Sequence, residues 1–180
     1  RLSRAEIRVY PHKDMNVLED LLKKEKGKGR KLIITDTVFS MDGDIAPLKE
    51  IYELSRMYDA ILMVDEAHAT GVLGKKGRGA IEHFGLENND IIQMGTLSKA
   101  LGTFGAYIAG SKELINYLTN KARSFIYTTS LPPTVASASI EAINIIDEDG
   151  SLIKRLWDNR KMFLEGLHSL GLNTLGSETP

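Results

Sequence analysis

Apolar residues along the chain follow two patterns, the short continuous runs of buried strands and the 3.6-residue spacing of amphipathic helices. Strands or extended segments are predicted at residues 7–10, 31–39, 60–64, 90–94, 104–109 and 125–130. Between these segments, helical spacing begins after Asp14 and Ser111, which are typical N-caps, and at Pro47, which is expected at the first position of its helix. Strands that alternate with helices in this way predict an α/β domain with a mainly parallel sheet.

Two segments sharpen this prediction. The run at residues 60–64 is apolar throughout and bounded by polar residues, which is typical of a central parallel strand covered on both faces. The helix that begins after Asp14 is expected to stop at Gly27 and Gly29, because glycine favours the end of a helix.

The C-terminal part of the chain has a different organisation. A long amphipathic helix is predicted from residue 151, and a short strand-like segment follows at residues 172–175. The sequence therefore predicts that residues 1–150 belong to one large domain. Residues 151–180 would form a connecting helix and the start of a second, incomplete domain.

Composition excludes several classes of partner. The chain has 180 residues, of which 42% are hydrophobic and 26% charged, and these values are ordinary for a globular domain. Its formal net charge is -1, so it has no excess of basic charge for nucleic acid or an anionic membrane. No apolar run is long enough to span a bilayer. The absence of cysteine suits a reducing compartment, and the expected location is the cytoplasm.

The stretch at residues 91–110 contains a candidate reactive group. Lys99 is the one basic side chain in a loop of small and hydroxyl residues, and the glycines of that loop leave room for a ligand. A lysine held between two buried strands can be partly desolvated and act as a nucleophile. Taken alone, the stretch fits an ordinary surface lysine equally well.

Polar residues follow three of the predicted strands. Asp65 and His68 come after the central strand, Ser40 ends the preceding strand, and residues 95–99 follow the next one. Ligands of open α/β sheets bind at the carboxyl ends of the strands, so these loops are expected to converge on one pocket. A lysine for a Schiff base and a carboxylate for a pyridinium nitrogen fit pyridoxal phosphate. A serine hydrolase is not indicated, because the G-x-S-x-G motif does not occur.

Three segments in the same order carry a specific resemblance. They are FSMDGDIAPL at 39–48, VDEAHATGVLGKKGRG at 64–79 and GTLSKALGTFGAYIAG at 95–110. Together they resemble the α-oxoamine synthase family of pyridoxal-phosphate enzymes. The similarity extends from the His12-Lys13-Asp14 segment to residues 177–180. It implies the large domain of a fold type I transferase, a mainly parallel sheet with helices on both faces.

The resemblance also implies site residues, with Lys99 and His68 as the catalytic candidates. Lys99 would bond to the cofactor and later remove the α-proton of the substrate. Asp65 would pair with the protonated pyridine nitrogen, and His68 and Ser40 would hydrogen-bond the phenolic oxygen of the cofactor. Thr96 would contact the phosphate.

A shared active site is a further implication. Thr128 and Thr129 would reach the phosphate bound by a neighbouring subunit, which implies a homodimer; alternatively they are ordinary strand threonines. The implied reaction joins glycine or alanine to an acyl-CoA and releases CoA, with or without decarboxylation. Family members are roughly twice this length, so the chain is expected to carry only part of the active site. A catalytically inactive structural fragment is the alternative.

Three competing motifs are weaker. Residues 65–68 spell the metal-binding box of some helicases, but the chain has no P-loop. Residues 71–79 lack the glycine order of a dinucleotide fingerprint. Asp42 and Asp44 are interpreted as turn formers rather than cation ligands, so no metal is expected.

Overall fold

The computed structural model describes residues 3–25, 29–87 and 90–180. Its strands are β1 (Lys31–Asp36), β2 (Ala60–Asp65), β3 (Ile91–Thr96) and β4 (Ala106–Ala109). Its helices are α1 (Met15–Lys24), α2 (Leu48–Met57), α3 (Ala80–Phe84), α4 (Lys112–Lys121), α5 (Arg123–Ile126), α6 (Pro133–Glu148) and α7 (Ser151–Ser169). Within these ranges no helix combines the length and the apolar content that crossing a bilayer requires.

The four strands form one mixed sheet in the order β1-β2-β3-β4. The first three are parallel, and β4 pairs antiparallel with β3. Parallel neighbours need a crossover, and α2 supplies it between β1 and β2. The predicted α/β class with a mainly parallel sheet is therefore confirmed.

The hydrophobic core lies on one face of this sheet. Ile33, Leu62 and Val64 on that face are at most 5% exposed and pack in one cluster with residues of α1 and α2. Leu32 and Ile34 alternate with them along β1 and are 52% and 60% exposed. Residues 60–64 were predicted to form a strand covered on both faces of the sheet. Among the described residues, only one face of this strand is covered. An apolar run indicates that a face can be covered, but not which segment covers it.

Two helix starts are formed as predicted. The Asp14 carboxylate accepts a hydrogen bond from the Val17 amide (2.9 Å) at the start of α1. The Ser111 hydroxyl accepts one from the Leu114 amide (3.2 Å) at the start of α4. Gly27, one of the two predicted stop residues of the first helix, lies outside the described residues.

Three predicted extended segments are wrong. Residues 7–10 and 172–175 form no strand. Residues 125–130 begin inside α5 and continue as a turn and an irregular segment. A strand requires a neighbour for its backbone groups, and no described strand pairs with any of these three segments. Apolar and β-branched residues in a segment do not by themselves provide such a neighbouring strand.

The C-terminal segment packs onto the same body. The Trp157 indole of α7 donates to the Val72 carbonyl oxygen (2.8 Å). Beyond α7, the Thr179 hydroxyl donates to the Gly43 carbonyl oxygen (2.8 Å), and Arg160 donates to the Ser177 carbonyl oxygen (2.6 Å). These bonds fix the position of α7. The division at residue 150 remains a prediction.

Candidate functional site

Asp65 is the last residue of β2 and is half-buried at the carboxyl edge of the sheet. One oxygen of its carboxylate, Oδ1, accepts a hydrogen bond from the Ala67 amide (2.8 Å). This local bond limits the rotation of the carboxylate.

The loop after β3 carries Lys99 and is closed by hydrogen bonds at its base. The Thr96 hydroxyl donates to the Gly105 carbonyl oxygen (3.0 Å) and accepts from the Ser98 amide (3.2 Å). The Leu97 amide also donates to Gly105 (2.9 Å). Lys99 itself is exposed, so the expected partial desolvation of this lysine is not found within the part of the chain that the structure describes.

Asp36 was not predicted as a site residue, but it lies beside Asp65 at the same edge of the sheet. It ends β1 directly opposite Asp65, and the two side chains point to the same face of the sheet. Burial and the Asp65 charge raise the pKa of Asp36, while His68 and Lys99 lower it. The carboxylates, the imidazole and the ammonium group therefore lie close enough to interact electrostatically at one edge of the sheet.

His68 and Ser40 lie on the two loops beside this edge. His68 is exposed in the turn that follows β2, and Ser40 is exposed in the turn that follows β1. Both are accessible to a ligand above the sheet edge.

Thr128 and Thr129 lie elsewhere, on an exposed irregular segment between α5 and α6. The alternative interpretation of them as strand threonines is wrong, because no strand forms there. Their predicted role at a neighbouring subunit's phosphate stays a prediction.

Glu66 is the second residue that the sequence analysis missed. It is 1% exposed, and its carboxylate accepts hydrogen bonds from the Thr37 hydroxyl (3.1 Å) and from the Ala80 (2.9 Å) and Ile81 (3.0 Å) amides. Burial raises the pKa of Glu66, and these three hydrogen bonds partly oppose that shift. The position of Glu66 directly after Asp65 was the available signal, since a carboxylate is rarely buried without a specific role.

The turn with Asp42 and Asp44 contains a further cluster. His12 joins them, and one ligand atom from each of the three lies within 4.8 Å of the others. Asp44 Oδ2, however, already contacts His12 Nε2 (2.8 Å) and Lys13 Nζ (3.1 Å). Burial favours a higher pKa for Asp44, but the hydrogen bonds from His12 and Lys13 outweigh it and lower that pKa. The Asp44 carboxylate of this cluster is therefore already paired with the Lys13 ammonium group.

Solved structures share this fold. A serine palmitoyltransferase from S. paucimobilis, solved with a bound PLP–myriocin aldimine, superposes with a TM-score of 0.86 at 33% identity, over 90% of this chain and 42% of that one. An 8-amino-7-oxononanoate synthase from Francisella tularensis gives a TM-score of 0.81 at 33% identity, over 98% of this chain and 51% of that one. The sheet and its helices therefore define the large-domain fold of fold type I enzymes.

The sequence comparison gives the family. The model of aminotransferase class I and II matches residues 1–180, and the chain belongs to this family. An 8-amino-7-oxononanoate synthase of Thermoanaerobacter pseudethanolicus is 56% identical over 181 residues, and 8-amino-7-oxononanoate synthase 1 of Bacillus subtilis is 51% identical over 180. Both matches cover 100% of this chain and 46% of the relative, so the chain spans about half the length of these relatives.

Proposed function

We propose that this chain is part of a pyridoxal-phosphate-dependent C-acyltransferase that joins an amino acid to an acyl-CoA and releases CoA. The observation that carries the proposal is that Asp65 ends β2 beside Asp36, while His68 and Lys99 lie on the loops that follow the adjacent strands β2 and β3. These two loops meet, because a Cβ at Gly71 would contact the Ala100 side chain next to Lys99. A carboxylate, an imidazole and a free amine at such an edge are the groups that this cofactor requires. The matched relatives with acyltransferase names support the same reaction class.

The residues at this edge fit the cofactor chemically. Asp65 Oδ1 is engaged with the Ala67 amide, which orients the second oxygen for a pyridinium N–H. The Lys99 amine is accessible at the end of its loop, as a covalent attachment requires. Lys99 follows Thr96 by three residues, so a phosphate bound at the loop would lie near both.

When bound, pyridoxal phosphate supplies a carbonyl that combines with amines and a ring that accepts electrons from a substrate carbanion. The protein's own contribution is positioning and proton transfer. Asp65 holds the ring nitrogen protonated, and His68 and Ser40 hydrogen-bond the phenolic oxygen. Lys99 Nζ accepts the α-proton of the substrate. Thr96 binds the phosphate, and Thr128 and Thr129 bind that of a second subunit in a homodimer.

The names of the relatives favour one of two substrate pairs. An 8-amino-7-oxononanoate has nine carbons, with the oxo group at the seventh and the amine at the eighth. A seven-carbon pimeloyl group and the two carbons that alanine retains after loss of carbon dioxide account for all nine. Alanine with pimeloyl-CoA is therefore the first candidate, and glycine with acetyl-CoA is the second. We place the enzyme in the cytoplasm, a reducing compartment that suits a chain without cysteine.

A thiol-release assay on the full-length protein tests this proposal. With pyridoxal phosphate present, we expect CoA to be released with alanine and pimeloyl-CoA faster than with glycine and acetyl-CoA. Release with neither pair, nor with any other acyl-CoA, would contradict the acyltransferase assignment. The same assay on the 180-residue chain alone tests the alternative of an inactive structural fragment, for which no release is expected.

A further inference from the structure

Glu66 is the most thoroughly fixed residue near the candidate site. Its backbone amide donates to the Met94 carbonyl oxygen of β3 (2.7 Å), and its own carbonyl oxygen accepts from the Ala69 and Thr70 amides (2.9 Å each). Its buried carboxylate accepts three further hydrogen bonds. Both the main chain and the side chain of this residue are therefore held.

We propose that Glu66 is a positioning residue that fixes the orientation of Asp65 toward the cofactor. The inference rests on the proposed function, because it assigns Asp65 to the ring nitrogen. Glu66 is 1% exposed, and among the described residues its carboxylate bonds to Thr37 and to the start of α3. It acts on the cofactor only through its neighbour.

The main chain transmits this effect over two residues. Asp65 Oδ1 is held by the Ala67 amide, so the direction of the carboxylate depends on where residue 67 lies. Residue 67 follows Glu66 directly, and the turn at residues 66–70 closes on the Glu66 carbonyl oxygen. A rotation at Glu66 would move the Ala67 amide and, with it, the Asp65 carboxylate. The same turn carries His68.

Thr37 extends the connection to the neighbouring strand. Its amide and its hydroxyl both contact the Asp65 carbonyl oxygen (3.0 Å each), and the hydroxyl also contacts Glu66 Oε2 (3.1 Å). Thr37 is 0% exposed and directly follows Asp36. The Glu66 carboxylate therefore joins the ends of β1 and β2, from which Asp36 and Asp65 project.

The other side of the Glu66 carboxylate is closed by the start of α3. Gly79 precedes this helix with φ +97°, and a Cβ at that position would overlap the carboxylate. The Ala80 and Ile81 amides donate to the two carboxylate oxygens, one to each. The carboxylate is thus enclosed on all sides and has a single position available.

Glu66→Gln in the full-length protein tests the inference, with Glu82→Gln as the matched control. Glu82 also accepts backbone hydrogen bonds, from the Lys76 (3.0 Å) and Arg78 (3.0 Å) amides of the glycine-rich loop, residues 71–79. None of the hydrogen bonds found among the described residues joins Glu82 to Asp65. Three quantities are measured for each protein: the melting temperature without cofactor, the dissociation constant of pyridoxal phosphate, and the pH dependence of the visible absorbance of the bound cofactor.

For Glu66→Gln we expect the dissociation constant to rise about tenfold, by analogy with groups that orient the ligands of a metal site. We also expect the pH dependence of the visible band to shift, because Asp65 no longer holds the ring nitrogen in the same geometry. Glu82→Gln should lower the melting temperature but leave the dissociation constant and the pH dependence unchanged.

A Glu66→Gln protein that melts earlier yet has wild-type cofactor affinity and pH dependence would overturn the inference, because Glu66 would then be purely structural. If Glu66→Gln does not fold, Thr37→Val removes one of the three hydrogen bonds to the Glu66 carboxylate together with the contact of the Thr37 hydroxyl to the Asp65 carbonyl oxygen. The same two shifts are expected at smaller size, and a Thr37→Val protein with unchanged cofactor affinity and pH dependence would overturn the inference. If the wild-type protein binds no pyridoxal phosphate, the proposed function fails together with this inference.

Discussion

Asp36 carries the clearest electrostatic signature of the candidate site. Burial and the neighbouring Asp65 carboxylate raise its pKa, while His68 and Lys99 lower it. A carboxyl whose pKa is higher in the folded than in the unfolded state favours folding in its protonated form. The stabilisation that the protonated Asp36 carboxyl gives the folded state is therefore complete below the ordinary carboxyl pKa. It is lost as the pH rises through the raised pKa of Asp36.

Asp36→Asn tests this sign. Asparagine has no proton to lose, so the stability of the variant relative to wild type should increase as the pH rises from about 4 to about 6. Denaturant unfolding of both proteins at several pH values measures the difference. Asp20→Asn, at an exposed position of α1, serves as the control. A difference between Asp36→Asn and wild type that is constant with pH would show that Asp36 does not interact with the site.

The position of a residue relative to the apolar runs was enough to predict where three candidate residues lie. Asp65 ends β2, and His68 and Lys99 lie three residues beyond the ends of β2 and β3, as the sequence predicted. Their roles stay predictions. Asp36 was not predicted, because its partner depends on the register between β1 and β2, which the run of apolar residues does not specify. Glu66 was missed because its partners, Thr37 and the start of α3, are distant in sequence.

At the scale of elements, the junction between the glycine-rich loop and α3 fixes the back of the site. Gly79→Ala would place a side chain at φ +97° and against the Glu66 carboxylate. We expect a loss of about 1–3 kcal/mol in the free energy of unfolding. Thermal or denaturant unfolding measures this loss.

Gly85→Ala is the matched control for that variant. Gly85 also has a positive φ, +71°, but nothing lies within 4 Å of a Cβ at its position. Gly85 lies in the left-handed helical region (φ +71°, ψ +39°), which costs a side chain less than the conformation of Gly79 (φ +97°, ψ -165°), so its substitution introduces a milder backbone strain and no overlap. A loss for Gly79→Ala no larger than that for Gly85→Ala would contradict the expected effect of the Gly79 conformation and of the overlap with Glu66.

Local signals predicted helix starts better than strands. The Asp14 and Ser111 caps are side-chain to backbone hydrogen bonds within three residues, so the sequence contains both partners. The segments at 7–10 and 125–130 have strand-like composition, but strand formation depends on a distant neighbour. The short helix α3 was not predicted, because its start depends on Glu66, which lies fourteen residues from Ala80.

At the scale of the whole molecule, the candidate site lies on the sheet face that the described helices leave open. Asp36 and Asp65 share this face with Leu32, Ile34 and Ile61, which are 44–60% exposed. The chain spans 46% of its relative's length. Lys99, on the loop after β3, is also exposed in the part of the chain that the structure describes.

Borohydride reduction of the cofactor-loaded, full-length protein, followed by peptide mass spectrometry, tests directly whether pyridoxal phosphate attaches to Lys99. We expect a stable phosphopyridoxyl group on the peptide that contains Lys99, and we expect this group to be lost in Lys99→Ala. Modification of another lysine, such as Lys75 or Lys76 in the glycine-rich loop, or an unchanged signal in Lys99→Ala, would contradict attachment at Lys99.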